Sequence, residues 1–527
     1  MNTPATPLQF RSADEASAFL SRLSLTDPAP THRLLLQFFD ALVRQPLPPT
    51  DQAVVLTQAE KPLAFLQEEA ARHYLIKSLP YSGDDLARFQ RTVTLWQQAG
   101  KAWRAAELPE GSGVDVAAIL ERALYCHGMA LVEHLMARYQ VPPGLWRTLH
   151  ETYQEAERRG VADFPFQDHK GRNLSCSRSY VAVILFELSR PYSLSARELP
   201  LVWRWAKLMA KLARVVPLAE NETPAFILDL GSDASIGKPL PGARDAADVR
   251  RLDTTDLASH VRKLRRRLDE GYSPKDLLLG EDVSSGDALR LVAHLRYPWS
   301  QEAIARPVDL RLPIGSARVV LGYNAIHYQL TGREMAKPKG PAAAHQYSRQ
   351  DAERLAIFGA SRENAASVRD QTAVKYSGET WALLEESASA YRIYRAGDGA
   401  KVAPGQLVAL SLGHEPNAPF FLTQISSLMQ TPEGGVVAKV RRLLGTARGV
   451  AIQALGTHLP AQALVGGFLI EAAGSDADAK PQLVMPRGWY QRLRPVELDL
   501  EPPLRCRLEK VLLSGHDFDL VECAPFA

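Results

Sequence analysis

The chain has 527 residues, of which 46% are hydrophobic and 23% charged, and its formal net charge is +3. At roughly 100 to 200 residues per domain it is too long for one hydrophobic core, and about three domains are expected. The nearly balanced charge argues against specific nucleic-acid binding but leaves room for a local basic patch.

Four cysteines, Cys126, Cys176, Cys506 and Cys523, lie far apart with no C-x-x-C pair, so neither a zinc site nor a disulfide framework is expected. The N-terminal stretch MNTPATPLQFRSADEASAFLSRL has no basic segment leading into an apolar one. No run approaches the ~18 apolar residues of a membrane span. These features predict a soluble protein of a reducing cytoplasm.

From about residue 33 to 296 the apolar residues recur at helical spacing. The predicted helices are HRLLLQFFDALVRQ, DDLARFQRTVTLWQQAGKAWRAAE, VDVAAILERALYCHGMALVEHLMARYQ, GLWRTLHETYQEAERRG, SYVAVILFELSRP and ARELPLVWRWAKLMAKLARVV. Trp146, Leu149 and Tyr153 match the W-x-x-L-x-x-x-Y face of a tetratricopeptide first helix, with Ala182, Phe186 and Pro191 as its second. The spacing demands an insertion, VADFPFQDHKGRNLSCSRS, and an irregular bundle is the preferred reading. AFILDLG (225–231) reads as a strand, followed by the loop GSDASIGKPLPG and the basic helix LASHVRKLRRRLDEG, where Arg262, Arg265 and Arg266 fall on neighbouring positions.

After about residue 305 the period changes to two, in ARVVLGYNAIHYQLTG, GETWALLEE, SAYRIYR, GQLVALSLG, PFFLTQISSLMQ, GVVAKVRRLL and RGVAIQALG. Short turns between such runs predict a small antiparallel barrel. The domains expected are a helical one over 1–220, a connecting helical region over 221–304, first strands over 305–333, a linker with a helical insertion over 334–378, and a barrel with C-terminal strands over 379–527.

Catalytic motifs fail one by one. GSDASIGKP has one residue too many between Gly231 and Gly237, and Pro239 stands where a phosphate loop needs Ser or Thr. His516 and Asp517 lack a second histidine motif and read as a surface turn before the last strand. No G-x-S-x-G or H-E-x-x-H occurs, and Cys126 beside His127 reads as a packed thiol. A non-catalytic chain with no cofactor and no metal is expected.

The segments WALLEESASAYRIYR, VAPGQLVALSLG and KVRRLLGTARGVAIQAL, the last taken as a strand pair, follow the order of signature strands in a PilZ-type domain, which the C-terminal third resembles. The whole chain resembles proteobacterial proteins that join a long helical half to a divergent barrel of this type. The resemblance implies an α+β multidomain protein, with a mainly helical N-terminal half followed by a PilZ-like antiparallel β-barrel C-terminal half.

It also implies a cyclic di-GMP ligand, gripped by an R-x-x-x-R element ahead of the barrel and a [D/N]-x-S-x-x-G element on its first strands. The second element here reads Glu385, Ser387, Ala390, so only the serine matches; the nearest approach to the first is Arg306 and Arg311, one residue too widely spaced. If Tyr391 and Ile393 face the core, Arg392 and Tyr394 face outward and Arg395 swings back at the strand end. With Arg441 and Arg442 these would make a basic, aromatic exterior patch; the alternative is solvated arginines paired to Glu385 or Glu386 across the strands. Two functions stay open. One is a cyclic-di-GMP-responsive regulator that relays a signal through its helical half to a protein partner. The other is a nucleotide-independent interaction adaptor or chaperone-like scaffold.

Overall fold

The computed structural model describes residues 8–106, 113–168, 171–219, 224, 226–237, 248–300, 315–334, 376–397, 399–413, 418–455, 464–471 and 480–526. They fall into two units, Met1–Pro307 and Val308–Ala527, so the change of hydrophobic period expected near 305 marks a true boundary.

The first unit is helical: α1 (Ala13–Ser21), α2 (Pro28–Arg44), α3 (Pro49–Tyr74), α4 (Gly83–Arg104), α5 (Gly113–Met136), α6 (Leu145–Arg158), α7 (Cys176–Leu188) and α8 (Glu198–Met209). The stretch read as an insertion between α6 and α7 contains a short hairpin, β1 (Phe166–Gln167) with β2 (Asn173–Leu174). Trp146, Leu149, Tyr153, Ala182 and Phe186 are all buried, and Tyr153 stacks on Tyr180 at 4.2 Å.

The strand read at AFILDLG is β4 (Ile227–Asp229), one edge of a sheet with β5 (Val249–Asp253) at its centre and β3 (Arg214–Pro217) beyond. The loop after β4 has a structural task. Asp233 accepts the amides of Gly144 and Arg147, at 2.5 and 2.9 Å, satisfying donors at the start of α6 that the helix itself leaves free. Helices α9 (Thr255–Asp269) and α10 (Ser285–Ser300) end the unit.

The reading missed α3, a 26-residue helix that carries Pro62 in its interior. Proline there removes one backbone hydrogen bond, and tertiary packing of Val55, Leu56, Ala59, Leu63 and Leu66 outweighs the loss.

The second unit holds two closed antiparallel barrels where one was expected. The first comprises β6 (Gly315–Leu321), β7 (Glu379–Glu386), β8 (Ala390–Arg395), β9 (Leu407–Leu412), β10 (Phe421–Gln430) and β11 (Val436–Arg442). The second comprises β12 (Thr446–Ala454), β13 (Leu464–Glu471), β14 (Gln482–Pro486), β15 (Pro495–Leu498), β16 (Leu504–Ser514) and β17 (Phe518–Pro525). Around the first, the strands run β6, β7, β8, β11, β10, β9 and back to β6; around the second, β12, β13, β14, β17, β16, β15 and back to β12. The two circuits are identical in chain order, so residues 308–527 contain one architecture twice.

Two expectations change here. YNAIHYQLTG is not strand but α11 (Tyr323–Thr331), closed by Gly332 at φ +67°. Strands β11 and β12 do not pair; each belongs to its own barrel, and Gly445 carries the chain between them. At φ +119° a side chain on Gly445 would also place its Cβ 2.4 Å from the Glu471 carbonyl oxygen, so only glycine fits the crossing.

The barrels share a core. Val320, Ile326 of α11, Leu407, Ala409, Leu422, Leu443, Phe468, Ile470, Val484, Phe518 and Leu520 form one buried cluster drawn from both. The turn read as a surface feature belongs to this joint. Asp517 accepts the Leu407 amide at 2.9 Å and the His516 amide donates to the Gly405 carbonyl at 2.7 Å, while burial raises the Asp517 pKa.

In the helical unit α5 is buried on nearly every side, yet it carries Glu133. Tyr74 donates to one carboxylate oxygen and the Trp96 indole to the other at 3.4 Å. Burial still dominates and raises its pKa to about 7. The folded state therefore holds a proton that the unfolded chain releases near pH 4.5, so stability is fully present below that value and falls as pH rises towards 7. Chemical denaturation at several pH values should show wild type losing up to about 3 kcal/mol across this window relative to Glu133→Gln, which has no proton to lose. Parallel stability curves for the two proteins would contradict this assignment.

Candidate functional site

The first barrel presents its chemistry on the outer face of β7, β8 and β11. Alternation along β8 buries Tyr391, Ile393 and Arg395 and turns Arg392 and Tyr394 outward. Register places Arg392 opposite Lys439 on β11 and Glu385 on β7, and places Arg441 opposite Ala390. Three cations thus occupy adjoining outer positions with one carboxylate among them.

Glu385 reaches that position through a bulge. The β7–β8 register shifts between Leu383 and Glu385, and the extra residue re-aims the side chain. Its Oε1 lies 2.6 Å from the Arg392 guanidinium, with the side chains 29% and 42% exposed. Half-solvated, the pair is worth about 1 kcal/mol or less, so Arg392 can exchange partners. Lys439 and Arg441 are exposed and make no ion pair among the described residues. Tyr394 lies over Gly435, where any Cβ would sit 2.5 Å from its ring. The face combines cations, an aromatic ring and the small residue Ala390, a chemistry suited to a phosphate joined to a flat base.

The other expected site residues lie elsewhere. Arg395 does not swing back to this face. It enters the barrel end, 6% exposed, bonded to Glu379 at 2.6 Å and the Ala400 carbonyl at 2.9 Å, with its guanidinium 5.0 Å from the Trp381 ring centre. Burial opposes ionisation of Glu379, but the Ala400 amide, Arg395 and the Trp381 indole together hold its pKa below the usual value. Arg442 packs over Phe421 at 4.7 Å, beside Tyr391. Ser387 is consumed by the β7–β8 turn, donating to the Ala390 carbonyl and accepting its amide. Arg306 and Arg311 lie outside the described residues. Lys439 was missed; its place beside Arg392 follows from pairing register, which sequence spacing does not contain.

On the second barrel the lysines about β16 and β17 are paired with carboxylates. Glu522 on β17 and Glu509 on β16 are tied to Lys480 at 3.3 and 2.6 Å, and Lys510 pairs with Glu522 at 3.3 Å. An open groove of about 570 Å³ in the helical unit, between α6 and β5, is likewise spent: Glu155 pairs with Arg158 and Arg159 and Glu157 with Arg250. Among the described residues no group of three His, Cys, Asp or Glu side chains is placed to hold a metal ion, all four cysteines are free and buried, and no helix is long and apolar enough to cross a membrane.

Comparison with known proteins locates a likeness in the other unit. Residues 14–220 match the family model described as the N-terminal domain of the cyclic-di-GMP receptor FimW. Over 206 residues the chain is 24% identical to the cyclic-di-GMP receptor FimW of Pseudomonas aeruginosa, covering 37% of this chain and 32% of that protein. The chain thus spans about a third of the length of the curated relative it matches. The matched residues correspond to α1 through β3 of the helical unit and include none of the barrels.

The geometry separates two kinds of arginine, and substitution should separate them too. Arg395→Ala leaves Glu379 part-buried without its cation and should lower unfolding stability by about 2–4 kcal/mol. Arg441→Ala should stay within about 0.5 kcal/mol of wild type, since the side chain is exposed and makes no ion pair among the described residues. Denaturant titration of both variants checks the assignment, which equal losses would overturn.

Proposed function

We propose that this chain is a non-catalytic regulatory protein that responds to cyclic di-GMP. In this reading the first barrel binds the nucleotide on the Arg392, Lys439 and Arg441 face, and the helical unit relays the bound state to a protein partner. The observation that carries the reading is the likeness of residues 14–220 to the N-terminal domain of a cyclic-di-GMP receptor. Support for the position of the site comes from the cationic, aromatic outer face of β8 and β11. Arg306 and Arg311, which precede β6 in the sequence, are proposed from the sequence alone as further phosphate-gripping arginines.

The adaptor reading keeps one specific support, the occupation of Arg392 by Glu385. A carboxylate in that place competes with a ligand phosphate for the same guanidinium. The nucleotide must therefore displace an internal anion, and binding should be weaker than the cation count alone suggests.

Calorimetric titration of the full chain with cyclic di-GMP distinguishes the readings. Binding is expected, weakening as salt rises because phosphate–arginine attraction is screened. Lys439→Ala and Arg441→Ala should each cost roughly tenfold in affinity, the scale of a charge-assisted hydrogen bond. Glu385→Gln should tighten binding by up to about fivefold by freeing Arg392, the worth of a half-exposed ion pair. No heat and no thermal shift at high ligand concentration would leave the adaptor reading in place.

A further inference from the structure

A second charged surface lies in the helical unit, away from everything assigned above. Along α9, His260, Lys263 and Arg267 follow one another at i, i+3 and i+7, which puts them on one face of the helix. The turn Ala210–Leu212 that ends α8 brings Lys211 beside them. Burial and then the fields of Lys211, Lys263 and Arg267 hold the His260 imidazole below its ordinary pKa.

Among the described residues the nearby carboxylates pair with other cations. Arg265 and Arg266 take the last-turn carboxylates Asp269 and Glu270, at 2.9 and 3.5 Å. Arg214 at the start of β3 takes Asp256, at 3.7 Å, and Arg290 of α10 takes Glu198 and Asp287. Lys211, Lys263 and Arg267 are exposed and make no ion pair among the described residues. Like charges brought together on a helix face repel, so the packing of α9 beneath holds a seam that an external anion would relieve.

We propose that this seam, formed by Lys211, His260, Lys263 and Arg267, is a docking surface for an acidic segment of a partner protein. The extent of the surface and one apolar neighbour select that class. Three positions spread over two helical turns suit an extended chain of carboxylates better than one compact phosphate. Leu208 stands three residues before Lys211 on the same side and is 40% exposed, offering an apolar contact beside the cations. Duplex nucleic acid makes no use of such a residue, and it is too small an apolar surface to anchor on a lipid bilayer. The seam needs no nucleotide, so it stands or falls apart from the barrel site.

The test uses the full chain and a fluorescein-labelled peptide of repeating Glu-Glu-Leu, with duplex DNA and phosphatidylglycerol vesicles as rival probes. The peptide should raise anisotropy and lose affinity steeply with added salt. The double variant Lys263→Glu/Arg267→Glu should weaken it at least about tenfold, and Leu208→Ser about threefold, while Arg265→Ala/Arg266→Ala should change it less than about twofold. Saturating peptide should also shift the NMR titration of His260 upward, because the carboxylates cancel the field of its three neighbours. Absence of peptide binding, indifference to the charge reversal, an unmoved His260 titration at saturation, or preference for DNA or vesicles would each overturn the proposal.

Discussion

A residue on a β-strand can point only to one face or the other, and on β8 that choice divides the barrel interior from the solvent-facing charges. Tyr391, Ile393 and Arg395 go inward, so one arginine becomes part of the barrel interior and must be neutralised there by Glu379. Arg392 and Tyr394 go outward, so the other arginine meets water, Lys439 and Glu385. Two residues of one type, three apart in sequence, thus differ in everything that matters for binding. Every property of the candidate face depends on this parity, and a one-residue slip in register would exchange the two arginines.

The first barrel can sustain this arrangement because it does not stand alone. Its outer residues Leu407, Ala409 and Leu422 would be exposed apolar surface on an isolated barrel, but they meet Phe468, Ile470, Val484 and Phe518 of the second. Helix α11 fills the same joint through Ile326. One side of the barrel is committed to packing, and the β7, β8 and β11 side is left for charge. The barrels share a strand order but not a charge pattern: Lys480 and Lys510 of the second pair with Glu509 and Glu522, whereas β8 and β11 of the first carry cations in excess.

Much of this was legible in the sequence, for physical reasons that can be named. The change of hydrophobic period marks the boundary near 307 because helices and strands bury different spacings. Alternation alone tied an outward Arg392 to an inward Tyr391, and the structure takes that parity. The second barrel was hidden because closure is a long-range property: the strands up to β12 were read, but nothing local says that β11 and β12 belong to different barrels. The YNAIHYQLTG helix was hidden by its position directly after a strand and by alternating apolar residues that satisfy both periods. Arg395 was misplaced because its partner Glu379 lies sixteen residues away across a hairpin, and pairing of that kind depends on the bulge at Leu384.

That bulge also bears on why Glu385 stands where the resembling family carries Asp or Asn. An ordinary ladder alternates β7 side chains without interruption, whereas the extra residue lets a carboxylate reach Arg392 while Leu383 stays buried. The cross-strand pair holds the arginine's fork in one orientation and neutralises it at the same time. Orientation lowers the entropy a ligand must overcome, and neutralisation lowers the field that attracts it. With Lys439 and Arg441 making no ion pair among the described residues, the face keeps a net positive charge there, so an arriving anion would be attracted by those two before it contests the third. A ligand with two phosphates can engage the free cations with one group and compete for Arg392 with the other, whereas a single phosphate gains little from displacing Glu385. The geometry of one ion pair thereby favours dianionic ligands over monoanionic ones, without any contact to a base.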